Sequence, residues 1–436
     1  MNSKKSSKKV GLFLIFTLTI FVIAYIAYNL FLISTPVIEG TEAFNSISAD
    51  KTITLKGKNL KSIDIFINQG AKKISLLKDT PAAKEKTYIL QMKPKDINLM
   101  DGSAIVIVDA KAGIFKKVRH EINSTIDTLP PTLEILSSTS IINQGSSGFA
   151  VLKAKDADSV FIKLEDYTFK AFKAPAGTES ARGSNTLTYL VFFAAPFNSK
   201  EGSVFYAIAY DAAGNKNIKS LPTKLKGEKF KISTINIDDA FVNRVVSPLL
   251  NETNTSDPVS AFKKANENLR ENNLKKLIEI GQKSEPKILW EGPFLQLKNS
   301  KVMATYGDKR TYFYKEKPIS NSVHLGYDLA SVENAMVEAA NSGIVRYAGD
   351  LGIYGNTIII DHGLGLISLY GHLSTILVKE GQAVSKGEII AKTGSTGLAG
   401  GDHLHFGILM HGYEVTPLPW WDAHWIKVNI LDYLKQ

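Results

Sequence analysis

The chain carries three short signals within one stretch: His324-Leu325-Gly326-Tyr327-Asp328, Tyr370-Gly371-His372-Leu373-Ser374 and Asp402-His403-Leu404-His405-Phe406-Gly407. Six of the eight histidines of the chain lie in this stretch or just after it. Imidazole is the commonest metal ligand and titrates near neutral pH. This clustering of histidines therefore indicates a metal-dependent hydrolase, and the rest of the chain is interpreted around it.

The spacing of these residues allows them to meet at one cleft. His403 and His405 are two residues apart, and in a strand such side chains point to the same face. His324 and Asp328 are four apart, as in a helix, but Gly326 favours a turn between short strands. Together with His405 they offer two imidazoles and one carboxylate, and a catalytic zinc site uses three such ligands and leaves a fourth position for water.

The remaining imidazoles of the signals, those of His372 and His403, are free to move protons and to stabilise an oxyanion. Zinc lowers the pKa of water from about 15.7 to about 7, which would supply a nucleophile at neutral pH. Alone, a His-x-x-x-Asp match arises by chance, and a His-x-His pair is more often a core or surface pair. The three signals in order favour a site, with His362, His411 and His424 as bystanders.

Residues 302–413 resemble the M23 (lysostaphin/LytM-like) zinc metallopeptidases of bacterial cell walls. The resemblance implies that His324, Asp328 and His405 ligate one Zn²⁺ per catalytic domain. It further implies that His403 is the general base and that His372 polarises the carbonyl or stabilises the oxyanion. Tyr354 is the candidate substrate-binding residue, with a plain hairpin tyrosine as the alternative. The matching text is His324-x-Gly-x-Asp328, Asn341-Ser-Gly-Ile-Val-Arg-Tyr-Ala-Gly349, Tyr354-Gly-Asn-Thr-Ile-Ile-Ile-Asp-His-Gly363, Tyr370-Gly-His-Leu-Ser374, Val378-Lys-Glu-Gly-Gln-Ala-Val-Ser-Lys-Gly387, Gly394-Ser-Thr-Gly397 and His403-Leu-His-Phe406.

The N-terminal part predicts a membrane anchor. Residues 1–9 form a basic stub, and residues 10–33 form an apolar run without a charge. This run is longer than the ~20 residues that span a bilayer. The lysines before it place the N-terminus in the cytoplasm, and no small-residue cleavage motif follows it. We therefore expect an uncleaved, single-pass anchor in the bacterial cytoplasmic (inner) membrane, with the catalytic domain in the periplasm or cell-wall space; a cleaved signal peptide is the alternative.

The middle of the chain predicts β-domains followed by a helical connector. Short alternating strands and regular turns indicate two Ig-like β-sandwich modules at residues 34–126 and 127–230, or one larger β-domain. Residues 231–299 have helical spacing after Ser256-Asp257-Pro258, and we expect this connector to pack against the catalytic domain, cover its groove or bind a regulator. Residues 300–436 form the antiparallel β-sheet metallopeptidase domain, so the predicted fold is mainly β.

Charge and cysteine content restrict the partners. The net charge is +10, with four lysines in the stub, and a basic protein favours anionic surfaces. Export excludes nucleic acid, so peptidoglycan is the expected partner, and the upstream region leaves room for an envelope regulatory protein. The chain has no cysteine, which excludes a cysteine ligand or nucleophile.

These observations predict a zinc-dependent peptidoglycan endopeptidase that cuts amide bonds in peptide cross-links or stems. The alternative is an envelope scaffold or activator that binds peptidoglycan or a cell-wall hydrolase and has little activity of its own. A third interpretation is an enzyme for another bond, such as the sugar–peptide amide or a polyglycine bridge.

Overall fold

The computed structural model describes residues 3–175, 186–251 and 257–435. The chain divides into two compact units, the first made of Met1–Pro131 with Tyr210–Lys216 and the second of Thr132–Ala209 with Asn217–Gln436. The fold is mainly β, as predicted.

The first unit begins with a long helix, Ser3–Ala27, which continues through the wider turns of Tyr28–Leu32. Its segment Gly11–Leu32 has 22 residues and a mean hydropathy of 2.3, long and apolar enough to cross a membrane. Leucine, isoleucine and phenylalanine side chains are exposed along it. The predicted apolar helix is therefore present.

Two sheets enclose the core of the first unit, a three-stranded one in the order β1-β3-β6 and a five-stranded one in the order β2-β8-β7-β4-β5. Alternation buries one face of each strand, as at Ile53 and Leu55 of β3 and at Ile63, Ile65 and Ile67 of β4. The strands are β1 (Val37–Glu39), β2 (Ser46–Ile47), β3 (Lys51–Lys58), β4 (Ser62–Gln69), β5 (Lys72–Asp79), β6 (Glu85–Met92), β7 (Gly102–Lys111) and β8 (Lys117–Ile126), with short helices at Thr41–Phe44 and Pro94–Ile97.

The second β-region again has two four-stranded sheets, β14-β15-β11-β9 and β13-β12-β16-β17, with the parallel pair β10-β18 beside them. Two regions of paired sheets thus follow each other along the chain, and their bounds and their identity as Ig-like β-sandwich modules stay predictions. The strands are β9 (Thr132–Ser138), β10 (Ile141–Asn143), β11 (Ser147–Lys155), β12 (Ser159–Leu164), β13 (Tyr167–Lys170), β14 (Phe172–Lys173), β15 (Thr186–Ala194), β16 (Tyr206–Tyr210), β17 (Lys216–Ser220) and β18 (Lys224–Lys226).

The connector is helical, as predicted, after a first strand β19 (Ile232–Ile237). Asp257 caps the main helix, because its Oδ1 accepts hydrogen bonds from two backbone N–H groups of the first turn. Ser256, part of the predicted start, lies outside the described residues. The helical segments are Asp239–Phe241, Val242–Val246, Ser247–Leu249, Pro258–Lys263, Lys264–Leu269 and Arg270–Gly281.

The C-terminal region is built on an antiparallel sheet in the order β20-β23-β31-β27-β26-β25-β29, with β32 paired to β31. A hairpin of β21 and β22 joins β19, and β24, β30 and β28 form a further small sheet. The strands are β20 (Lys301–Ala304), β21 (Asp308–Tyr314), β22 (Lys317–His324), β23 (Tyr327–Ala330), β24 (Met336–Glu338), β25 (Gly343–Asp350), β26 (Asn356–Gly363), β27 (Leu366–Leu373), β28 (Thr375–Ile376), β29 (Ala383–Val384), β30 (Ile389–Lys392), β31 (Leu404–Met410) and β32 (Tyr413–Val415), with short helices at Gly352–Tyr354, Leu418–Trp421, Ala423–Ile426 and Lys427–Leu431.

Candidate metal centre and catalytic site

The register of three neighbouring strands brings the predicted ligands together. Asp328 of β23 lies directly opposite His405 of β31, and Gly371 of β27 lies opposite His405 on the other side. His324 ends β22 and is followed by a turn into β23. The predicted turn between short strands, rather than a helix, therefore joins His324 to Asp328.

Three side-chain atoms converge at this point. His324 Nε2 lies 2.9 Å from Asp328 Oδ1, and His405 Nδ1 lies 3.0 Å from the same oxygen. The two imidazole nitrogens are 3.1 Å apart. Both histidines are buried, so these atoms form a compact His-Asp-His cluster of the kind that can hold a metal ion.

The protonation states of the cluster suit a cation. His324 Nδ1 lies 3.0 Å from the carbonyl oxygen of Thr305 and must donate to it, which leaves the lone pair on Nε2. Burial lowers the pKa of His405 to about 4, so this ring is neutral. Burial opposes ionisation of Asp328, but a positive charge on His324 in its protonated form, together with hydrogen bonds from His324, His403 and His405, holds the pKa of this carboxyl well below its usual range. Neutral imidazoles and an ionised carboxylate are the ligand forms that bind Zn²⁺, so these residues fit the metal.

Gly326 is required by the close approach of His405. A Cβ at this position would lie 2.6 Å from Nε2 of His405 and 2.8 Å from the carbonyl oxygen of Phe406. Only glycine therefore lets the turn pass under the imidazole. Steric exclusion by His405 thus explains why the middle position of the His-x-Gly-x-Asp signal is a glycine.

His372 and His403 lie beside the cluster, where the sequence places the proton-transfer groups. Their ring centroids are 4.8 Å apart, and His403 Nε2 lies 3.5 Å from Asp328 Oδ1. Each Nδ1 lies 2.8 Å from a carbonyl oxygen, that of Thr396 for His372 and that of Gly401 for His403. Each Nδ1 must donate, so each ring in its neutral form has an unprotonated Nε2.

The two rings differ in their electrostatic surroundings. Burial and the neighbouring histidines lower the pKa of His372 to about 3. Burial also lowers the pKa of His403, but its hydrogen bond to Asp328 and the charge of that carboxylate outweigh burial and raise it. His372 also has a φ of +62°, a backbone conformation that is uncommon outside glycine and that clusters at functional sites.

Thr396 makes several hydrogen bonds that position His372, a role that was not predicted from the sequence. Its carbonyl accepts from His372, while its hydroxyl donates to the carbonyl of Leu373 and accepts from the backbone N–H of Asn356. It therefore holds the 394–397 loop against the strand that carries His372. The Gly394-Ser-Thr-Gly397 match was the available signal, although it pointed to a turn and not to this role.

Tyr354 is buried beside the cluster. Its ring centroid lies 5.5 Å from that of His405, and its hydroxyl donates a 2.7 Å hydrogen bond to Glu414 Oε1. Burial raises the pKa of Glu414 to about 7. The Tyr354 hydroxyl therefore already has a hydrogen-bond partner in Glu414. A contact between Tyr354 and the substrate stays a prediction. Asp402, next to His403, accepts hydrogen bonds from the hydroxyl of Thr393 and the N–H of Asn334.

The remaining histidines of the stretch lie apart from the cluster. His362 is buried between the carbonyl of Ser342 and the hydroxyl of Ser368, each 2.7 Å away. His411 is buried against Phe172, and His424 is exposed. None of the three lines the cavity around the cluster.

That cavity has a volume of about 140 Å³. Besides the five predicted residues, its walls include Tyr354, the loop at Leu398, and two arginines, Arg270 and Arg310. The arginines lie upstream of every matched signal, and sequence reasoning did not find them.

Comparison with known proteins agrees with this geometry. Residues 322–417 match the family model of Peptidase family M23. The chain is 37% identical over 107 residues to the DD-carboxypeptidase/endopeptidase Mpg of Neisseria meningitidis, covering 24% of this chain and 25% of that protein. It is 37% identical over 136 residues to the murein hydrolase activator NlpD of Escherichia coli, covering 31% and 32%. The chain therefore spans a quarter to a third of the length of these relatives.

Among solved structures, the chain is similar to the catalytic domain of the antimicrobial peptidase lysostaphin from Staphylococcus simulans. The identity is 29% and the TM-score is 0.26, and the match covers 30% of this chain and 98% of the lysostaphin domain.

Proposed function

We propose that the M23 peptidase domain that residues 322–417 form is an active zinc endopeptidase, which hydrolyses amide bonds in the cross-links or stems of peptidoglycan. The observation that carries this proposal is the convergence of three ligand atoms with two further imidazoles at their side. All five residues that the resemblance requires are present in this chain, and they line one cavity.

His324, Asp328 and His405 would hold one zinc ion. When bound, zinc supplies Lewis-acid polarisation of the substrate carbonyl and acidifies a water molecule. The hydrogen bond from His324 to Thr305 and the glycine at position 326 keep two of these ligands in place.

His403 is the proton-transfer group in this proposal. Its Nε2 faces Asp328 Oδ1 and is unprotonated in the neutral ring, because Nδ1 donates to Gly401. It can therefore accept a proton from the attacking water and deliver it to the leaving amine. The bond to Gly401 keeps the ring oriented through both steps.

His372 is the partner of the oxyanion. Since Nδ1 donates to Thr396, Nε2 can donate to an oxyanion only when it carries a second proton. The centroids of the His372 and His403 rings are 4.8 Å apart, so both rings border the same space. A proton that enters from solvent onto His372 Nε2 would supply the hydrogen bond to the developing oxyanion, separately from the water proton that His403 moves to the amine.

The apolar helix would anchor the protein in the bacterial inner membrane, with its N-terminus in the cytoplasm and the peptidase in the periplasm or cell-wall space. The length and hydropathy of Gly11–Leu32 support an anchor, and the lysines before it support this orientation. Peptidoglycan is the proposed substrate, and an envelope regulatory protein is a proposed further partner.

A second candidate function is activation of another cell-wall hydrolase. The similarity to the murein hydrolase activator NlpD favours it. An activator needs no metal chemistry. The activator function therefore does not explain why the predicted ligands occur together with the residues that support them, which are Thr305, Gly326, His372 and His403. We therefore favour the enzyme.

Digestion of purified peptidoglycan sacculi by the zinc-loaded protein tests the proposal, with products identified by mass spectrometry. We expect cross-linked dimers to convert to monomers, and His403→Ala to abolish this conversion. His424→Ala, which changes an exposed histidine, is the matched control and should retain it. Intact sacculi, with stimulated cleavage only after a second hydrolase is added, would instead support the activator.

A further inference from the structure

Two arginines from outside the M23 match line the cavity of the metal-ligand cluster. Arg270 begins the connector helix Arg270–Gly281, and Arg310 lies on β21. The cavity walls include one carboxylate, that of the predicted ligand Asp328. The cavity lining therefore contains two guanidinium groups and one carboxylate.

Arg310 is engaged with carboxylates of the protein. Its Nε donates to Asp308 Oδ2 at 3.2 Å, and one terminal nitrogen lies 3.6 Å from Asp328 Oδ2. Asp308 is buried and also accepts from the hydroxyl of Ser233. Arg310 therefore orients the predicted ligand from the side away from His324, and its charge is largely compensated.

Arg270 differs because its hydrogen bonds go to neutral oxygens. Its Nε donates to the carbonyl of Asn266 at 3.1 Å, and a terminal nitrogen donates to the Asn266 side chain at 3.0 Å. Among the described residues, no carboxylate forms an ion pair with it. A guanidinium has five donors in a planar fork that matches a carboxylate, so the donors not used on Asn266 are available to a ligand.

Glu414 carries a carboxyl that could compete for Arg270. The charge of Arg270 acts on it, but this group is fully buried and accepts its hydrogen bond from Tyr354. Glu414 does not line the cavity, and among the described residues its side-chain hydrogen bond is with Tyr354 and not with Arg270.

The helix that carries Arg270 is fixed to the sheet. Leu277 and Ile280 are buried in one cluster with Leu369 and Leu409 of β27 and β31. Asn273 Oδ1 accepts a 2.9 Å hydrogen bond from the backbone N–H of Ile353. Arg270 is therefore held by a packed wall and is preorganised for binding.

We propose that Arg270, with Arg310 behind the ligand Asp328, forms an anion subsite that binds a free carboxylate of the peptide substrate beside the scissile amide. This rests on the proposed function for the identity of the substrate as a peptide. A cavity of about 140 Å³ is smaller than the roughly 300–1,000 Å³ of complete small-molecule sites, so the subsite takes one small group. The carboxylate is either the C-terminal one or a side-chain one.

Calorimetric binding to the zinc-loaded full-length protein in detergent tests the subsite without requiring turnover. The background is His403→Ala, which keeps the peptide intact. One peptide pair is acetyl-D-Ala-D-Ala with a C-terminal carboxylate or carboxamide; the other is acetyl-D-Ala-Glu-amide with its Gln counterpart. We expect the acid of at least one pair to bind about tenfold tighter than its amide or more, as for hydrogen bonds to charged groups.

Arg270→Gln should remove this preference and leave binding of the amides unchanged, while Arg270→Lys should retain part of it. Arg244→Gln is the matched control, since Arg244 is an exposed arginine of the same connector that does not line the cavity. The pair that shows the preference identifies the source of the carboxylate.

Equal binding of acid and amide in both pairs, or no binding of any peptide, would overturn the subsite. An equal loss of the preference for acids in Arg244→Gln would also overturn it, because the preference would then come from the long-range charge of the protein and not from a contact with Arg270. If the wild-type protein cleaves no peptidoglycan while the acid peptides still bind more tightly than the amides, the proposed enzyme activity is wrong and the anion subsite stands. If the protein cleaves peptidoglycan but binds acids and amides equally, the activity stands and the subsite is wrong.

Discussion

His405 is the residue on which most local constraints of the site act. Its Nδ1 faces Asp328 and His324, and its ring packs on that of Tyr354. Its Nε2 is buried without a hydrogen-bond partner among the described residues. The turn at Gly326 contacts the same edge of the ring. The orientation of the His405 ring is therefore determined by strand register and steric contact rather than by a second hydrogen bond.

Removing one ligand should remove the metal. We expect His324→Ala and His405→Ala to lower the bound zinc from one ion per chain to near zero, because two ligands hold zinc poorly. Inductively coupled plasma mass spectrometry on the purified variants measures this. His424→Ala should keep the full content, and a zinc content unchanged in the ligand variants would place the metal elsewhere.

Acid should destabilise the catalytic region through buried His362. Burial lowers its pKa to about 4, against 6.5 ordinarily. Between pH 6.5 and 4 the unfolded chain binds a proton that the folded protein does not, so stability is unaffected above pH 6.5 and falls as the pH drops. The loss reaches about 3 kcal/mol by pH 4.

Tryptophan fluorescence during urea unfolding measures this loss, because all four tryptophans lie between residues 290 and 425. His362→Gln should show a shallower decline of unfolding free energy with falling pH, while the exposed His424→Gln keeps the wild-type slope. Identical slopes for the two variants would show that His362 does not cause the decline.

At the scale of elements, the connector helix is part of the wall of the catalytic region. Its buried residues join the sheet core, and Gly281 packs so closely on Gly412 that no side chain fits. Of the three expected roles of the connector, packing against the catalytic domain is confirmed. Covering the groove is supported in one respect, since Arg270 lines the cavity.

The two adjacent asparagines of this helix should differ in their effect on stability. Asn273→Ala should destabilise the catalytic region by roughly 1–3 kcal/mol, because it leaves the buried N–H of Ile353 without an acceptor. Asn272→Ala is the control at an exposed neighbouring position and should change stability by less than about 0.5 kcal/mol. Urea unfolding followed by fluorescence compares them, and equal effects would contradict this packing.

Local patterns predicted the elements, but not the long-range contacts. Period-two alternation identifies strands such as β4, and the Asp257-Pro258 pair identifies the helix start, because both signals are local in the chain. The residues of the His-Asp-His cluster were predicted together because they sit in recognisable signals. Arg270 and Thr305 were missed, since their contribution depends on tertiary packing with residues far away in sequence and on no local periodicity.

At the scale of the whole molecule, the second β-region and the catalytic region share one hydrophobic core within the second unit. Phe192 of β15 lies 5.6 Å from Trp420 and 6.5 Å from Trp290, measured between ring centroids. Trp420, near the C-terminal end of the chain, therefore packs into this shared core. The predicted domain boundary near residue 300 marks a change in the sequence pattern. The hydrophobic core of the second unit nevertheless contains residues from both sides of this boundary.

A fragment of residues 290–436 should therefore be less stable than one of residues 132–436. It loses the cover of Phe192 over Trp420 and the connector helix over the sheet, and it exposes apolar surface at about 25 cal/mol per Å². We expect a lower unfolding midpoint and binding of a hydrophobic dye. Equal midpoints for the two fragments would show that the catalytic region has an independent core.

The most direct test of the central claim is a zinc titration of hydrolysis. Metal is stripped from the full-length protein with a chelator, zinc is returned stepwise, and sacculus cleavage and bound zinc are measured on the same samples. We expect cleavage to rise in proportion to zinc occupancy and to reach its maximum at one zinc per chain. Full cleavage by the stripped protein, or full occupancy without any cleavage, would contradict an active zinc endopeptidase.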